Sequence, residues 1–218
     1  MYLSRVELNP YRRETMRALR SPEIMHAAVM ASFPSSASGG DRILWRIDRV
    51  GAATYLLVQS ARKPDFHHIV DQFGRPECDS AWDCLDYDGF LSKIENGQVW
   101  RFRLAANPVH SVMDPEHREG ARGKVCGHVT AEQQTKWLLD RCGKHGFSIV
   151  GSEEEPNVRI VFREVSKFRR GDAQVTINRA VFEGVLRVED ADALRLAMSG
   201  GIGKAKAYGC GLLTLARC

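Results

Sequence analysis

The sequence predicts an α+β protein that consists of two βαββαβ domains in tandem. A chain of 218 residues is long enough for two compact domains of about 100 residues each. Strand-like and helical segments follow one another in the order β, α, β, β, α, β, and that order starts again after a polar, turn-prone segment at residues 86–97. This is the ferredoxin-like, or RRM-like, arrangement. We place an N-terminal domain at residues 1–88 and a C-terminal domain at residues 98–218.

The first domain begins with a strand, because apolar side chains at Val6 and Leu8 alternate with charged ones. Further along, Ser21-Pro22 starts a helix with an N-cap serine and a first-turn proline. The predicted elements of this domain are a strand at residues 2–8, a helical stretch that restarts at residue 21 and runs to about residue 33, strands at 43–48 and 54–60, a helix capped near Asp65, and a strand at 82–85.

The second domain repeats this order. Thr130 and Gln133 have the spacing of a capping box, which predicts the start of a helix. The predicted elements are a strand at residues 100–104, a loop at 110–123, a helix that ends at about residue 144, strands at 158–168 and 173–188 joined by a turn at 170–172, a helix at 191–198 and a strand at 212–215. We expect a bulge in the second of the long strands, at Gly184 or near Asn178.

Charge and cysteine content limit the function classes. With 31 basic and 27 acidic side chains the net charge is +4, so a polyanion would have to bind a local cluster of positive charge. The six cysteines show no short repeated spacing, and the sequence contains neither a signal peptide nor an apolar run of about 20 residues. We therefore expect a cytoplasmic protein with reduced thiols and no contact with a membrane.

Two Cys/His pairs, Cys126-x-His128 and Cys142-x-x-His145, contain residue types that bind zinc. Their spacing matches no common zinc pattern, and the second pair falls at a predicted helix end, where packing and pairing with the helix dipole explain it. We expect no metal and no other cofactor.

The most distinctive segment is the glycine-rich stretch at residues 200–211, with five glycines and two lysines. Glycines let backbone N–H groups approach an anion closely, and lysines add contacts to phosphate. A Walker A loop is excluded because alanine follows Lys204, and a G-x-G-x-x-G fingerprint is excluded because residue 206 is lysine. The spacing alone is equally typical of a tight helix-to-strand turn. The candidate phosphate-binding residues are Gly201, Gly203, Lys204, Lys206, Gly209 and Gly211.

Four blocks in this sequence resemble the CRISPR repeat endoribonucleases, and CasE in particular. They are the glycine-rich stretch with Leu212-Leu213, the strand-closing block at residues 101–108, the triplet at 182–184 and the opening block at 1–4. The resemblance implies tandem ferredoxin-like domains that bind the hairpin of a CRISPR repeat. It also implies that the protein cleaves precursor RNA at the 3′ base of this hairpin and retains the product with the other protein subunits of the Cascade complex.

The same resemblance singles out His26. From the residues alone, a histidine on an amphipathic helix is more often a packing or surface residue than a catalyst. The family, however, places its catalytic histidine on this helix, a few residues before a Phe-Pro pair, and Phe33-Pro34 stands there. An imidazole can act as general acid or base when the 2′-OH attacks the adjacent phosphate, a reaction that needs no metal. Two departures stand out: Glu23 replaces the usual tyrosine three residues earlier, and Ala105 replaces an arginine.

Glu23 could orient the imidazole of His26 or repel the substrate. The resemblance also places a basic hairpin near the cleavage site, with Lys167 and Ser166 as further catalytic candidates and with Arg163, Arg169 and Arg170 as RNA-binding candidates. Arg12 and Arg13, together with Arg17 and Arg20, form a second basic cluster that we assign to the RNA stem. A solvated surface is the alternative for both clusters.

Two rival functions stay open at this stage. In the first, the chain binds the repeat hairpin as a Cascade subunit with little or no cleavage, because of Glu23. In the second, it is an unrelated RRM-like RNA-binding protein. The absence of an RNP1-like aromatic run in the sequence disfavours the second alternative.

Overall fold

A computed structural model of the protein describes residues 1–33, 42–78, 81–112, 124–152 and 154–218. The elements of the first half are β1 (Tyr2–Leu8), α1 (Arg13–Arg20), α2 (Pro22–Ala31), β2 (Leu44–Val50), β3 (Ala53–Ser60), α3 (His67–Phe73) and β4 (Trp82–Asp86). The four strands form one antiparallel sheet in the order β2-β3-β1-β4. This is the strand order of a ferredoxin-like domain, so the predicted fold class is confirmed for this half.

The first core lies between this sheet and its helices. Val6 and Leu8 of β1 are fully buried, and Met25 and Val29 of α2, one helical turn apart, pack into the same cluster. Ser21 is the N-cap of α2, with proline next to it as predicted, but the serine side chain makes no capping hydrogen bond. The fixed φ of proline and tertiary packing therefore define this helix start.

The second half contains a larger sheet. Its elements are α4 (Asp88–Leu91), β5 (Val99–Ala106), β6 (Val109–Val112), β7 (Lys124–Gly127), α5 (Ala131–Cys142), β8 (Phe147–Ile149), β9 (Val158–Arg170), β10 (Ala173–Val188), α6 (Ala191–Gly200) and β11 (Leu213–Ala216), with 3-10 turns at Gly143–His145 and Lys206–Tyr208. The strands β11, β5, β10 and β9 lie in this order, which repeats the order of the first sheet. β8 pairs with the end of β10.

The structure corrects two predictions in this half and adds elements that were not predicted. The polar segment at 86–97, where we placed the domain boundary, contains α4, and its residues Tyr87, Leu91 and Ile94 are buried in the second core. The predicted loop at 110–123 begins inside β6, which pairs with β7, while residues 113–123 lie outside the described part. β8 was not predicted. The irregularity in β10 falls between Val181 and Phe182, because the register there shifts against β9.

A buried arginine joins the two halves. Arg46 of β2 is 2% exposed and donates five hydrogen bonds, which is the full donor capacity of a guanidinium. Two bonds go to the carboxylate of Asp48, both at 2.8 Å. The other three go to the second half, to the carbonyls of Arg103 and Leu212 at 2.9 and 3.0 Å and to Oγ1 of Thr214 at 2.9 Å. This network fixes β2 against β5 and β11.

Within the described part of the chain, no helix combines the length and the apolar composition needed to cross a membrane.

Candidate active site

His26 lies where the first half meets the glycine-rich stretch of the second. It occupies the second turn of α2 and is half-buried, one position after the core residue Met25. α2 packs against the 3-10 turn Lys206–Tyr208. The imidazole of His26 contacts the ring of Tyr208 edge-on, with the ring centroids 6.1 Å apart and the planes at 66°. The two most distinctive predicted features, the histidine and the glycine-rich stretch, are therefore neighbours.

The glycine-rich stretch is packed against the first half. Nε1 of Trp45, on β2, donates to the carbonyl of Ala207 at 3.2 Å. Gly209 has a φ of 77°, and a Cβ there would lie 2.8 Å from Cζ3 of Trp45, so both the backbone conformation and the close approach require glycine. Gly209 and Gly211 are buried, whereas Gly201 and Gly203 are half-buried. Close packing at the domain interface thus accounts for glycine at position 209, beside any contact with a phosphate.

The two lysines of the stretch differ in their surroundings. Nζ of Lys206 donates to the carbonyl of Gly200 at 2.6 Å, which closes the stretch on itself. Burial, followed by the nearby positive charge of Arg42, lowers the pKa of Lys206 below its ordinary value. Lys204 is exposed. Of the two, Lys204 is therefore the one whose ammonium group is open to an external anion.

The basic hairpin has two chemically different faces. Ser166 pairs with Ile177 and Phe168 with Val175, and this face packs on Tyr208. Lys167 and Arg169 alternate with those residues, so they point to the opposite face, where both are exposed. The structure therefore brings Ser166 to the side of the His26 helix, while the catalytic candidate Lys167 lies on the other side of the strand.

The remaining predicted residues are spread along the surface. Arg163 is exposed, and its Nη2 donates to the carbonyl of Val129, while Arg170 ends β9 at the turn. Glu23 is exposed in the first turn of α2, one turn before His26. Nη1 of Arg12 donates to the carbonyl of Gly74 at 3.3 Å. Arg13, the first residue of α1, is exposed, as are Arg17 and Arg20. Among the basic side chains that the structure describes, Arg12 and Arg163 each donate to a backbone carbonyl, while Lys167, Arg169, Arg13, Arg17 and Arg20 are exposed to a ligand.

Two residues next to the site, Tyr208 and Trp45, were not predicted from the sequence. Tyr208 is the only aromatic residue in the glycine-rich stretch, a signal that could have singled it out. Trp45 gave no comparable signal, because its partner Ala207 lies 162 positions further along the chain.

The histidines and cysteines of the second half pack against other groups. The rings of His110 and His128 lie 4.6 Å apart, and burial, followed by the neighbouring His110, lowers the pKa of His128. Burial raises the pKa of the Cys142 thiol to about 12, and its Sγ donates to the carbonyl of Leu138. Across the residues that the structure describes, no three His, Cys, Asp or Glu side chains are grouped so that they could hold a metal ion.

Comparisons with known proteins find relatives over the whole chain. A family model described as CRISPR associated protein matches residues 1–217. The CRISPR-associated endoribonuclease Cse3 of Thermus thermophilus is 29% identical over 225 residues, which cover 99% of this chain and 100% of the relative. The CRISPR system Cascade subunit CasE of Escherichia coli is 25% identical over 198 residues, which cover 88% of this chain and 90% of the relative.

A solved structure of Thermus thermophilus Cse3, bound to an RNA that represents a pre-cleavage complex, superimposes with a TM-score of 0.80. The identity is 28%, and the superposition covers 99% of this chain and 98% of that chain. The similarity therefore includes both ferredoxin-like halves and the junction between them.

Proposed function

We propose that the chain, which belongs to the CRISPR-associated protein family whose model matches residues 1–217, is an endoribonuclease. It binds the stem-loop of a CRISPR repeat, cleaves precursor CRISPR RNA at the 3′ base of that hairpin and retains the product with other Cascade subunits in the cytoplasm. The observation that carries the proposal is the position of His26, beside the glycine-rich stretch of the second domain. Support comes from Cse3, a relative that is named an endoribonuclease and has been solved with RNA bound.

The proposed reaction is an attack of the 2′-OH on the adjacent phosphate. The new bond between O2′ and phosphorus forms as the bond to O5′ breaks, which leaves a 2′,3′-cyclic phosphate and a 5′-OH. His26 accepts the proton of the 2′-OH or donates one to the departing O5′, because an imidazole can act as a general base or a general acid. No metal is required, because the nucleophile belongs to the RNA and side chains move the protons.

Positive charge for the phosphates comes from exposed side chains. Lys204 lies in the stretch that packs on α2, where a cation can stabilise the charge that develops on the pentacoordinate phosphorus. Lys167 and Arg169 lie on the other face of the basic hairpin from Ser166, and we assign them to contacts with RNA phosphates. Ser166 faces the side of the His26 helix and has a hydroxyl that can donate to a phosphate oxygen. Arg12 and Arg13, at the start of α1, are assigned to the backbone of the stem.

Glu23 favours a second candidate function, a Cascade subunit that binds the hairpin with little cleavage. The carboxylate is exposed one helical turn before His26. At this distance it could repel a phosphate, although it could equally stabilise a protonated imidazole. Replacement of Glu23 by glutamine separates these effects, since glutamine removes the charge and keeps the shape.

Cleavage of a CRISPR-repeat hairpin in EDTA tests the proposal. The wild-type protein should cut the RNA at one position, and neither the His26→Ala variant nor an RNA with a 2′-deoxy nucleotide at the cut should give product. Glu23→Gln should change the rate and leave the cut position unchanged. Tight binding of the hairpin without any cutting would favour the second function. Cleavage that persists in His26→Ala would contradict the assigned role of His26, and a requirement for added metal would contradict the mechanism.

A further inference from the structure

We infer that Tyr208 is a positioning residue for His26, and that the second domain completes the catalytic centre by placing this ring against the imidazole. The inference rests on the proposed role of His26. The glycine-rich stretch would then do more than bind phosphate, because it would also fix the orientation of the His26 imidazole, which lies on the first domain.

The ring of Tyr208 has two aromatic neighbours. It contacts the imidazole of His26, with centroids 6.1 Å apart. It also contacts Phe168 of the basic hairpin edge-on, with centroids 4.9 Å apart and planes at 69°. Tyr208 is 9% exposed and belongs to a small cluster with Ile177 and Cys210. Because the ring is closely packed, it has little room to move relative to the imidazole.

The backbone of Tyr208 is also fixed. Its N–H donates to the carbonyl of Ala205 at 2.9 Å, and its own carbonyl accepts from Nη2 of Arg179 at 2.8 Å. Ala205 has a φ of 64°, the one positive φ outside glycine among the residues that the structure describes. Such a conformation costs energy for alanine and persists only where the surroundings enforce it. The turn that contains Tyr208 is therefore held in one conformation.

Trp45 ties this turn to the domain that contains His26. Its Nε1 donates to the carbonyl of Ala207, the residue before Tyr208, and its ring lies against Gly209, the residue after it. Trp45 is 2% exposed and packs in the same core as Met25 and Val29 of the His26 helix. Trp45 thus links the turn that contains Tyr208 to the core that anchors the His26 helix, although the two rings belong to different domains.

Orientation limits catalysis by a histidine. A general acid or base must lie within about 2.6–3.2 Å of the atom that gives or takes the proton, and a misplacement of about 1 Å can cost on the order of 100-fold in rate. A half-buried imidazole can rotate about its side-chain bonds unless its neighbours restrain it. The ring of Tyr208 is such a neighbour. Its loss should therefore lower the rate of the chemical step and leave RNA binding nearly unchanged.

Single-turnover cleavage, with the full-length protein in excess over a repeat hairpin, tests the inference. We expect Tyr208→Leu to lower the cleavage rate constant by about 10- to 100-fold, and Tyr208→Phe, which keeps the ring, to stay within about threefold of wild type. The Kd for a 2′-deoxy hairpin, which cannot be cut, should change by less than about threefold in both variants, since the phosphate contacts remain. Tyr55→Leu is the matched control, because Tyr55 is a half-buried tyrosine of β3 whose ring contacts Arg5.

Two further measurements separate positioning from a general structural effect. The pH profile of the rate constant should keep its shape in Tyr208→Phe and shift its inflection in Tyr208→Leu, because only the second changes the surroundings of the imidazole. Trp45→Phe removes the N–H donor to Ala207 and keeps most of the ring, and it should lower the rate constant by about three- to tenfold.

Several results would overturn the inference. These are a wild-type rate constant in Tyr208→Leu, an equal loss in Tyr208→Phe and Tyr208→Leu, or a Kd that rises in step with the loss of rate. If Tyr208→Leu does not fold, Trp45→Phe decides, and a wild-type rate constant in that variant refutes the inference. Failure of the proposed function is distinguishable, because it would appear as cleavage by His26→Ala or as no cleavage by the wild-type protein.

Discussion

Replacing Arg46 by methionine should lower the free energy of unfolding by about 3–5 kcal/mol, because it breaks a buried ion pair and leaves its partner behind. The guanidinium donates two hydrogen bonds to Asp48 and three to groups of the second domain. Methionine fills a similar volume but donates none of them. Asp48, with a side chain that is 9% exposed, keeps one cation, since Nε of Arg103 lies 3.1 Å from its Oδ1. We therefore expect a loss near the lower limit, about 3 kcal/mol.

Urea unfolding followed by circular dichroism measures this loss. The informative comparison is the double variant Arg46→Met/Asp48→Leu, which removes the carboxylate together with the guanidinium. It should be more stable than Arg46→Met alone, because no uncompensated charge stays buried. Arg46→Lys should also be destabilised, since an ammonium group cannot make the five bonds of the planar guanidinium. A loss below about 1 kcal/mol in Arg46→Met would refute the reasoning, because the network would then contribute no more than a surface ion pair.

Three further predictions concern the glycine-rich stretch, the pH response and the RNA surface. Gly209→Ala should lower the free energy of unfolding in urea by about 2–4 kcal/mol, because φ is 77° there and the new Cβ would press against Trp45. Gly51→Ala is the control: φ is 58° and the space around it is open, so the loss should be about 1 kcal/mol. Burial lowers the pKa of His145 in the folded protein. As the pH falls from 7.5 to 5.5, the unfolded chain therefore takes up more protons than the folded protein, and the stability decreases. His145→Gln should make the accompanying decrease in the urea midpoint shallower. Lys167→Ala should weaken hairpin binding and reduce the slope of log K against log salt by about 0.7–1, measured by fluorescence anisotropy.

Signals that act between near neighbours predicted most of the secondary structure. The alternation of side chains at residues 2–8 predicted β1, which is Tyr2–Leu8, and Pro22 predicted the start of α2. The capping box of Thr130 and Gln133 is present, with both reciprocal bonds. The four sequence blocks predicted the family, which the match over residues 1–217 confirms.

Features that depend on distant parts of the chain were not predictable in this way. Tyr87, Leu91 and Ile94 have helical spacing, but they lie among polar residues, and only the second core explains why they are buried. The strands β6 and β7 are short and separated by residues 113–123, so no local turn signal joins them. At the candidate site, the sequence singled out His26 and the glycine-rich stretch but gave no sign that they meet, because Trp45 and Arg46 of the first domain determine how the domains dock.

This docking changes how the substitution at position 23 should be interpreted. Considered along the helix alone, Glu23 lies one turn before His26, where its carboxylate could orient the imidazole. The structure adds a second neighbour, because Tyr208 of the second domain contacts the same imidazole and also packs on Phe168. Placement of His26 therefore does not depend on residue 23 alone. It follows that Glu23 should affect cleavage mainly through its charge, so Glu23→Gln should alter the rate of cleavage more than Glu23→Asp, which keeps the carboxylate.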